Sequence, residues 1–189
     1  SQWSATAHQR LDHERGDADR VGEEGEPPFL SANIDILGVV PKFQIIETDG
    51  HKIGVTTVLG DSYFDRVASD ELAIIPSLDA LSTIWPKLEK ASCDLYVLLA
   101  HASIQESQDL ARNFPQFDVV VTAGGAGEPT YQPEQIDGSD AVLVQVGTKG
   151  MYAGILSVYD SADQPLRYQR VALDARWSDS SKMLRLLAE

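Results

Sequence analysis

The chain has 189 residues, 29 acidic and 15 basic, and a formal net charge of −14 at pH 7. This charge excludes nucleic acid and anionic membranes as expected partners, because both bind basic patches. The single cysteine, Cys93, rules out an internal disulfide, a CxxC zinc site and a CxxCH haem attachment. The acidity also suggests an exported setting, and we predict a periplasmic or exported location.

The composition changes sharply near residue 28. Residues 1–28 are polar and charge-dense and hold little to bury apart from Trp3 and Leu11. They predict an acidic arm that is poorly ordered or depends on a partner, and residues 29–189 predict one domain. His8 and His13 lie five positions apart, on different faces of any helix, so they indicate solvated histidines and not a metal-binding pair.

The first part of the domain predicts three strands and a helix. The strands are Phe29–Ile36, Phe43–Glu47 and His51–Leu59. Asp49-Gly50 is a strong hairpin signal between the second and third strands. Residues 60–76 predict a loop with a turn of helix. A helix follows over Asp79–Lys90, and Pro86 inside it predicts a late start or a kink.

A βαβ unit lies at the centre of the chain. The apolar run of residues 94–100 ends in His101, and the run of residues 117–123 ends in the glycine-rich loop 124–127. Both are short and aliphatic, as strands buried on two faces are. Between them, Ser103 and Glu106 form an S-x-x-E capping box that predicts a short helix. A right-handed crossover makes the strands parallel and adjacent, with His101 beside the loop at the carboxyl edge of the sheet, where ligands bind in open α/β sheets.

The remaining residues predict a polar loop, three more strands and a last helix. The loop spans residues 128–140. The strands are Ala141–Val146, Gly150–Tyr159 and Leu166–Leu173, interpreted as an antiparallel meander. Ser178 is the predicted cap of a helix containing Met183, Leu184 and Leu187. The whole pattern predicts an α/β (α+β) fold with mixed β-sheets and flanking helices.

Five strings of the sequence resemble, in the same order, the calcineurin-like metallophosphoesterase domain of the 5′-nucleotidase family. They are Phe29–Asn33 (FLSAN), Lys52–Thr57 (KIGVTT), Asp94–His101 (DLYVLLAH), Phe117–Gly127 and Val142–Gly154. The resemblance implies a metallophosphoesterase-like four-layer sandwich of which this chain holds only the later part.

The same resemblance implies which residues to examine as a site. The family's dinuclear metal centre uses early D-x-H, G-D-x-x-D and G-N-H motifs, a histidine after a VLLSH-type strand and two histidines in G-H-x-H. His101 matches the VLLSH histidine and is the predicted metal ligand; the alternative is a side chain hydrogen-bonded to neighbouring backbone. The G-H-x-H position reads Gly124-Gly125-Ala126-Gly127, and residues 1–28 match none of the early motifs. Gly124, Gly125 and Gly127 are a predicted anion or phosphate nest, with a flexible turn as the alternative. Asn33 is a further candidate.

Two functions follow from this pattern. The first is a degenerate, non-catalytic metallophosphoesterase-like domain that serves as a binding or structural module of a larger protein or complex, with no cofactor of its own. The second is a metal-dependent phosphohydrolase, 5′-nucleotidase-like, that uses Mn, Zn or Fe and takes its other ligands from another segment or a partner chain. One histidine cannot hold two metals, which favours the first.

The resemblance also implies partners. The family's later strands pack against earlier strands that this chain lacks, so we predict a protein partner or a homo-oligomer. Residues 2–8, QWSATAH, are similar to a stretch near the haem sites of multihaem cytochromes. They suggest a link to such a protein.

Overall fold

The computed structural model describes residues 29–35, 38–67, 69, 72–124, 128–159, 166–181 and 184–185. The predicted arm of residues 1–28 lies outside these ranges. Two α-helices are described, α1 (Ser77–Lys90) and α2 (Ile104–Asn113), together with a 3₁₀ helix, Asp61–Arg66. The described strands are β1 (Ile34–Asp35), β2 (Phe43–Thr48), β3 (His51–Leu59), β4 (Ala73–Ile74), β5 (Leu95–His101), β6 (Val119–Thr122), β7 (Glu134–Gln135), β8 (Val142–Gln145), β9 (Tyr152–Val158) and β10 (Leu166–Ala172).

A six-stranded mixed sheet forms the centre of the molecule, in the order β2-β3-β5-β6-β8-β7. Strands β3, β5, β6 and β8 run parallel, and β2 and β7 flank them as antiparallel edges. The predicted βαβ unit is confirmed, since β5 and β6 are adjacent and parallel in the register Val97↔Val119 to Ala100↔Thr122. The predicted mixed α/β class is therefore correct.

The two faces of this sheet are covered differently. Both helices pack on one face, where Val58, Leu98 and Val120 are fully buried in a single apolar cluster. On the other face, the hairpin of β9 and β10 packs against Leu95 and Val119. The described residues thus form three of the layers that the resemblance implies: helices, central sheet and a two-stranded hairpin.

Local sequence signals explain the turns and helix ends. Asp49 and Gly50 both have positive φ, 48° and 83°, as a two-residue turn between β2 and β3 requires. Helix α1 begins two residues before the predicted start, because Asp61 Oδ1 accepts the N–H of Ser77 at 2.9 Å and so satisfies a free donor of its first turn. Pro86 lies inside this helix, on its exposed side, and does not end it.

The predicted antiparallel meander is wrong at β8. This strand is parallel to β6 in the central sheet, and only β9 and β10 form an antiparallel pair, in a sheet of their own. The segment between β6 and β8 is long enough to return the chain to the start of the sheet, as a parallel connection requires. Gly147 and Gly150, both with positive φ, then turn the chain out of the central sheet before β9.

Two smaller predictions differ from the structure, and a third is supported in part. Regular strand geometry in the Phe29–Ile36 segment is limited to Ile34–Asp35, with Ile36 outside the described residues. The two-residue strands β4 and β7 lie within segments interpreted as loops, and such short pairings leave no periodic signal. In the last predicted helix, Leu184 N–H bonds to Ser180 O at 2.9 Å, while Met183 and Leu187 lie outside the described residues.

Leu98 provides a test of the core. It is fully buried on the helix face of β5, whereas the next residue, Leu99, lies on the other face and is 37% exposed. We expect Leu98→Ala to lower the free energy of unfolding by about 2–5 kcal/mol and the matched Leu99→Ala to lower it by much less. Urea unfolding of both variants measures this, and equal losses would contradict the assigned faces.

Asp118 provides a test of pH dependence. Its carboxylate accepts the N–H of Tyr96 at 2.7 Å, and burial raises the pKa of this carboxyl above its ordinary value. A carboxyl group with a raised folded-state pKa favours folding only while it is protonated. We therefore compare the free energies of unfolding of the wild type and of Asp118→Asn. The wild-type value minus the variant value is expected to be lowest at neutral pH and to increase as the pH falls through the raised pKa of Asp118. Urea unfolding of the pair across this range tests the sign; a difference that shrinks with acid would contradict it.

Candidate functional site

The carboxyl edge of the central sheet brings three chain segments together. Strands β3, β5 and β6 end side by side, with Leu59 opposite His101 and Ala100 opposite Thr122. Beyond the strands, Gly60 N–H donates to His101 O at 2.9 Å, and Ala123 N–H donates to Ala100 O at 3.1 Å. His101 and Gly124 therefore share this edge, as predicted. Gly125 and Gly127 lie outside the described residues.

His101 lies on the hairpin face of β5, but beyond the part that the hairpin covers. Exposure along this face increases from 5% at Leu95 to 37% at Leu99, and His101 is exposed. Its imidazole packs edge-on against the ring of Tyr63, with centroids 5.0 Å apart. Arg66 stacks on the same tyrosine, 4.9 Å from the centroid. Among the described residues no hydrogen bond reaches the ring nitrogens of His101.

Gly124 lies where no side chain fits. A Cβ at this position would collide with the carbonyl group of Ala102. That carbonyl accepts a hydrogen bond from the hydroxyl of Thr122 at 3.0 Å. The Thr122 hydroxyl oxygen in turn accepts the hydroxyl of Ser107 at 2.9 Å and the N–H of Gly124 at 3.3 Å. The Gly124 N–H is thus directed into the protein. The predicted anion nest then depends on residues 125–127 and stays a prediction.

Asn33 is a structural residue at this edge. It is 1% exposed, and its amide group donates to Leu59 O at 2.7 Å and to Ile75 O at 3.3 Å. Its Oδ1 accepts the N–H of Leu59 at 2.9 Å. Both amide hydrogens are used in these bonds, which join the segment before β1 to the end of β3 and to the start of α1.

The contacts of two carboxylates at this edge, Asp61 and Glu106, were not predicted from the sequence. Glu106 accepts the N–H of Asp61 at 2.6 Å and the hydroxyl of Ser62 at 2.8 Å, and Asp61 caps α1. Half of the predicted capping box is confirmed, since Ser103 Oγ accepts the N–H of Glu106 at 3.1 Å. The Glu106 carboxylate binds the start of the 3₁₀ helix and not its own helix. No pattern in the local sequence indicates this contact, which spans 45 residues.

The described residues at this edge do not by themselves make up the ligand set of a dinuclear metal centre. A two-metal site needs a shared set of carboxylate and imidazole ligands around ions about 4 Å apart. Within the described part of the chain, no group of three or more His, Cys, Asp and Glu side chains is arranged to hold a metal ion. His101 is the imidazole here, and Asp61 and Glu106 are bonded to backbone N–H groups.

Structure comparison identifies the fold, although by sequence the chain matches no family model and no curated protein. The structure is similar to the sulfate thiohydrolase SoxB of Thermus thermophilus, with a TM-score of 0.64 and 16% identity over 97% of this chain. It is also similar to a 5′-nucleotidase precursor from the same organism, with a TM-score of 0.62 and 19% identity over 84% of this chain. The calcineurin-like phosphoesterase YfkN of Bacillus subtilis matches at a TM-score of 0.61 and 14% identity over 84% of this chain.

These similarities define a metallophosphoesterase-type fold. The chain spans only part of each neighbour, namely 33% of SoxB, 36% of the 5′-nucleotidase precursor and 60% of YfkN. It therefore corresponds to part of a metallophosphoesterase-type domain, as the resemblance implied. None of the described helices is long and apolar enough to cross a membrane.

The buried hydroxyl network offers a test of how this edge is held. Thr122→Val removes the donor to Ala102 O and the acceptor of Ser107 and Gly124, so we expect a loss of about 1–3 kcal/mol in the free energy of unfolding. Thr83→Val, at an exposed helical position whose hydroxyl bonds to Asp79 O, is the matched control and is expected to change stability little. Because Thr122 and Ser107 share one network, their double-mutant cycle should be non-additive; simple additivity would contradict the network.

Proposed function

We propose that this chain is a degenerate, non-catalytic metallophosphoesterase-like domain that serves as a binding or structural module of a larger protein or complex. It assembles no dinuclear metal centre from its own residues and needs no cofactor. The single observation that carries the proposal is the use of the polar groups at the carboxyl edge. Asp61, Glu106 and Asn33 each bind the backbone of a neighbouring segment, and His101 is the one imidazole at this edge among the described residues.

The glycine-rich loop adds support from the sequence. Residues 124–127 read Gly-Gly-Ala-Gly, so they carry no side chain that ligates a metal. At Gly124 the close approach of the Ala102 carbonyl also prevents any larger residue from taking its place without a backbone shift. An additional polypeptide segment would have to supply nearly all ligands of a metal centre at this edge.

The second candidate is a metal-dependent phosphohydrolase, 5′-nucleotidase-like, completed by another segment or a partner chain. What favours it is the position of His101, exposed at the carboxyl edge and without a hydrogen-bond partner among the described residues. In this case His101 would ligate a divalent ion such as Mn, Zn or Fe, and the remaining ligands would come from outside the described residues. Two of the structural neighbours are described as a 5′-nucleotidase precursor and a phosphoesterase.

Further parts of the proposal concern the setting of the chain. A protein partner or homo-oligomer fits a chain that spans about a third of the length of two of its neighbours. A periplasmic or exported location is supported by the acidity, and a link to a multihaem cytochrome by residues 2–8, which lie outside the described residues. Cell fractionation and co-purification with haem-stained proteins test these two expectations.

Metal content and hydrolysis separate the two candidate functions. We expect the purified chain to hold well under one equivalent of Mn, Zn or Fe by elemental analysis. We also expect no turnover of bis-p-nitrophenyl phosphate or AMP in added manganese, because a single imidazole binds a divalent ion too weakly to hold a metal centre. His101→Ala should behave like the wild type in both measurements.

His51→Ala is the matched control, since His51 lies at the opposite end of β3. Hydrolysis that persists through repurification, is lost in His101→Ala and is kept in His51→Ala would overturn the proposal in favour of the phosphohydrolase. Hydrolysis that all three proteins share would identify a contaminating enzyme and leave the domain without activity of its own.

A further inference from the structure

The hairpin of β9 and β10 is attached to the central sheet by a small apolar contact. Its two strands pair only with each other among the described residues. Every residue of both strands is partly or fully exposed. The contact is formed by partly buried side chains of the hairpin, Leu156, Val158, Leu166 and Tyr168, packed on Leu95, Val119 and Val144. Regions that open locally in a folded protein are those with few buried apolar contacts, so the hairpin is a candidate for such opening.

A second attachment is made by Arg170, on β10. Its side chain is 9% exposed, and its guanidinium carbon lies 3.5 and 4.3 Å from the ring centroids of Tyr131 and Tyr152. The guanidinium also donates to Pro129 O at 2.9 Å and pairs with Glu128 at 3.3 Å. Tyr152 belongs to β9, so that contact lies within the hairpin. The contacts with the other three residues leave the hairpin, and we name them the latch.

The segment on the far side of the latch, residues 128–131, is bonded to the central sheet. Thr130 N–H donates to Gln145 O at 3.2 Å, and the Thr130 hydroxyl oxygen accepts the N–H of Gln145 at 3.3 Å. Gln145 is the last residue of β8. These bonds do not involve the hairpin, so they remain when the latch is broken. The latch is therefore a joint between two parts of the structure, each of which has hydrogen bonds of its own.

The chain between β8 and β9, residues 146–151, has the properties of a hinge. None of its residues is buried. Gly147, Lys149 and Gly150 have positive φ values of 74°, 61° and 60°. Hinges are a few loop residues that absorb changes in φ and ψ, and glycine does so at little steric cost. The hairpin can therefore turn about this link without a break in the strands on either side.

We infer that the hairpin of β9 and β10 opens as a unit from the folded central sheet, with residues 146–151 as the hinge and the latch as the contact that keeps it closed. Opening breaks the contacts of Arg170 with residues 128–131 and preserves its contact with β9. It uncovers the apolar side chains of Leu95 and Val119, so the latch controls access to this face of the sheet. The inference does not depend on the function proposed for the carboxyl edge, which rests on other residues.

Thiol labelling of the folded, full chain tests the opening. In a Cys93→Ala background, Val119→Cys places a thiol under the hairpin, and Val120→Cys places one on the helix face of the same strand. The two valines are 1% and 0% exposed, so both thiols are protected in the closed structure. We expect Val119→Cys to react with a thiol reagent about tenfold faster or more, because Val120→Cys is exposed only when the core unfolds.

Ile84→Val separates hairpin opening from global unfolding. Ile84 lies on α1, in the apolar cluster on the helix face, so the substitution destabilises the closed and the open protein alike. It should speed the labelling of Val120→Cys several-fold and leave that of Val119→Cys unchanged. Equal labelling rates of the two thiols, both raised by Ile84→Val, would overturn the inference, because the hairpin would then separate only when the whole domain unfolds.

Arg170→Ala tests the latch, and Arg167→Ala is the matched control. Arg167 is on the same strand and also stacks on a tyrosine, Tyr159, at 4.7 Å from the ring centroid. Tyr159 directly follows β9, so this contact stays intact when the hairpin opens. We expect Arg170→Ala to speed the labelling of Val119→Cys by about tenfold or more, because it removes a ring stack and charge-assisted hydrogen bonds. Arg167→Ala should leave that rate nearly unchanged.

Tyr131→Ala keeps the test informative if Arg170→Ala does not fold. Tyr131 is 72% exposed and lies outside the hairpin, so its substitution takes one ring from the latch and leaves both strands as they are. It should also speed the labelling of Val119→Cys. An unchanged rate in every latch variant that folds would contradict the inference, as would an equal increase in Arg167→Ala. Metal content and hydrolysis should not change in any of these variants, so this inference and the proposed function fail separately.

Discussion

The need to cover both faces of the parallel strands β5 and β6 determines the rest of this structure. Helices α1 and α2 cover one face so completely that Val58, Leu98 and Val120 have no exposed surface. On the other face, the hairpin packs against Leu95, Val119 and, on β8, Val144. Along β5 this cover is lost toward the carboxyl end, since exposure rises from 5% at Leu95 to 37% at Leu99, and the exposed position of His101 follows from this difference.

Residues with strong local signals behave as the sequence predicts. The aliphatic runs of β5 and β6, the Asp49-Gly50 turn and the Ser103 cap each depend on neighbouring positions, and all are found in the structure. The position of β8 could not be predicted in this way, because a short apolar strand has the same sequence pattern in a parallel sheet as in an antiparallel meander. Its placement depends on the fit of Val142 and Val144 beside β6, a contact between distant parts of the chain.

In the candidate site too, the sequence predicts some features and not others. Its location beside His101 and Gly124 follows from the rule for parallel strands, and the sequence predicts it. What the sequence does not predict is how the polar groups there are used. Glu106 binds residues 45 positions away, and Asn33 joins segments 26 and 42 positions away. Such contacts leave no periodic pattern in the sequence, so only the folded structure reveals that these side chains form hydrogen bonds with the backbone.

This use of side chains determines what a metal at the edge could draw from the described residues. Asp61 Oδ1 accepts the N–H of Ser77, Glu106 Oε1 accepts the N–H of Asp61, and Glu106 Oε2 accepts the hydroxyl of Ser62. A carboxylate has about four acceptor positions on its two oxygens, so these bonds fix where each carboxylate lies without using all of its lone pairs. An ion that drew either carboxylate out of place would leave an N–H group without its partner, at a cost of about 1–3 kcal/mol where that group is buried. The three chain segments at this edge are therefore held together by the acidic side chains that are also the carboxylates available there among the described residues.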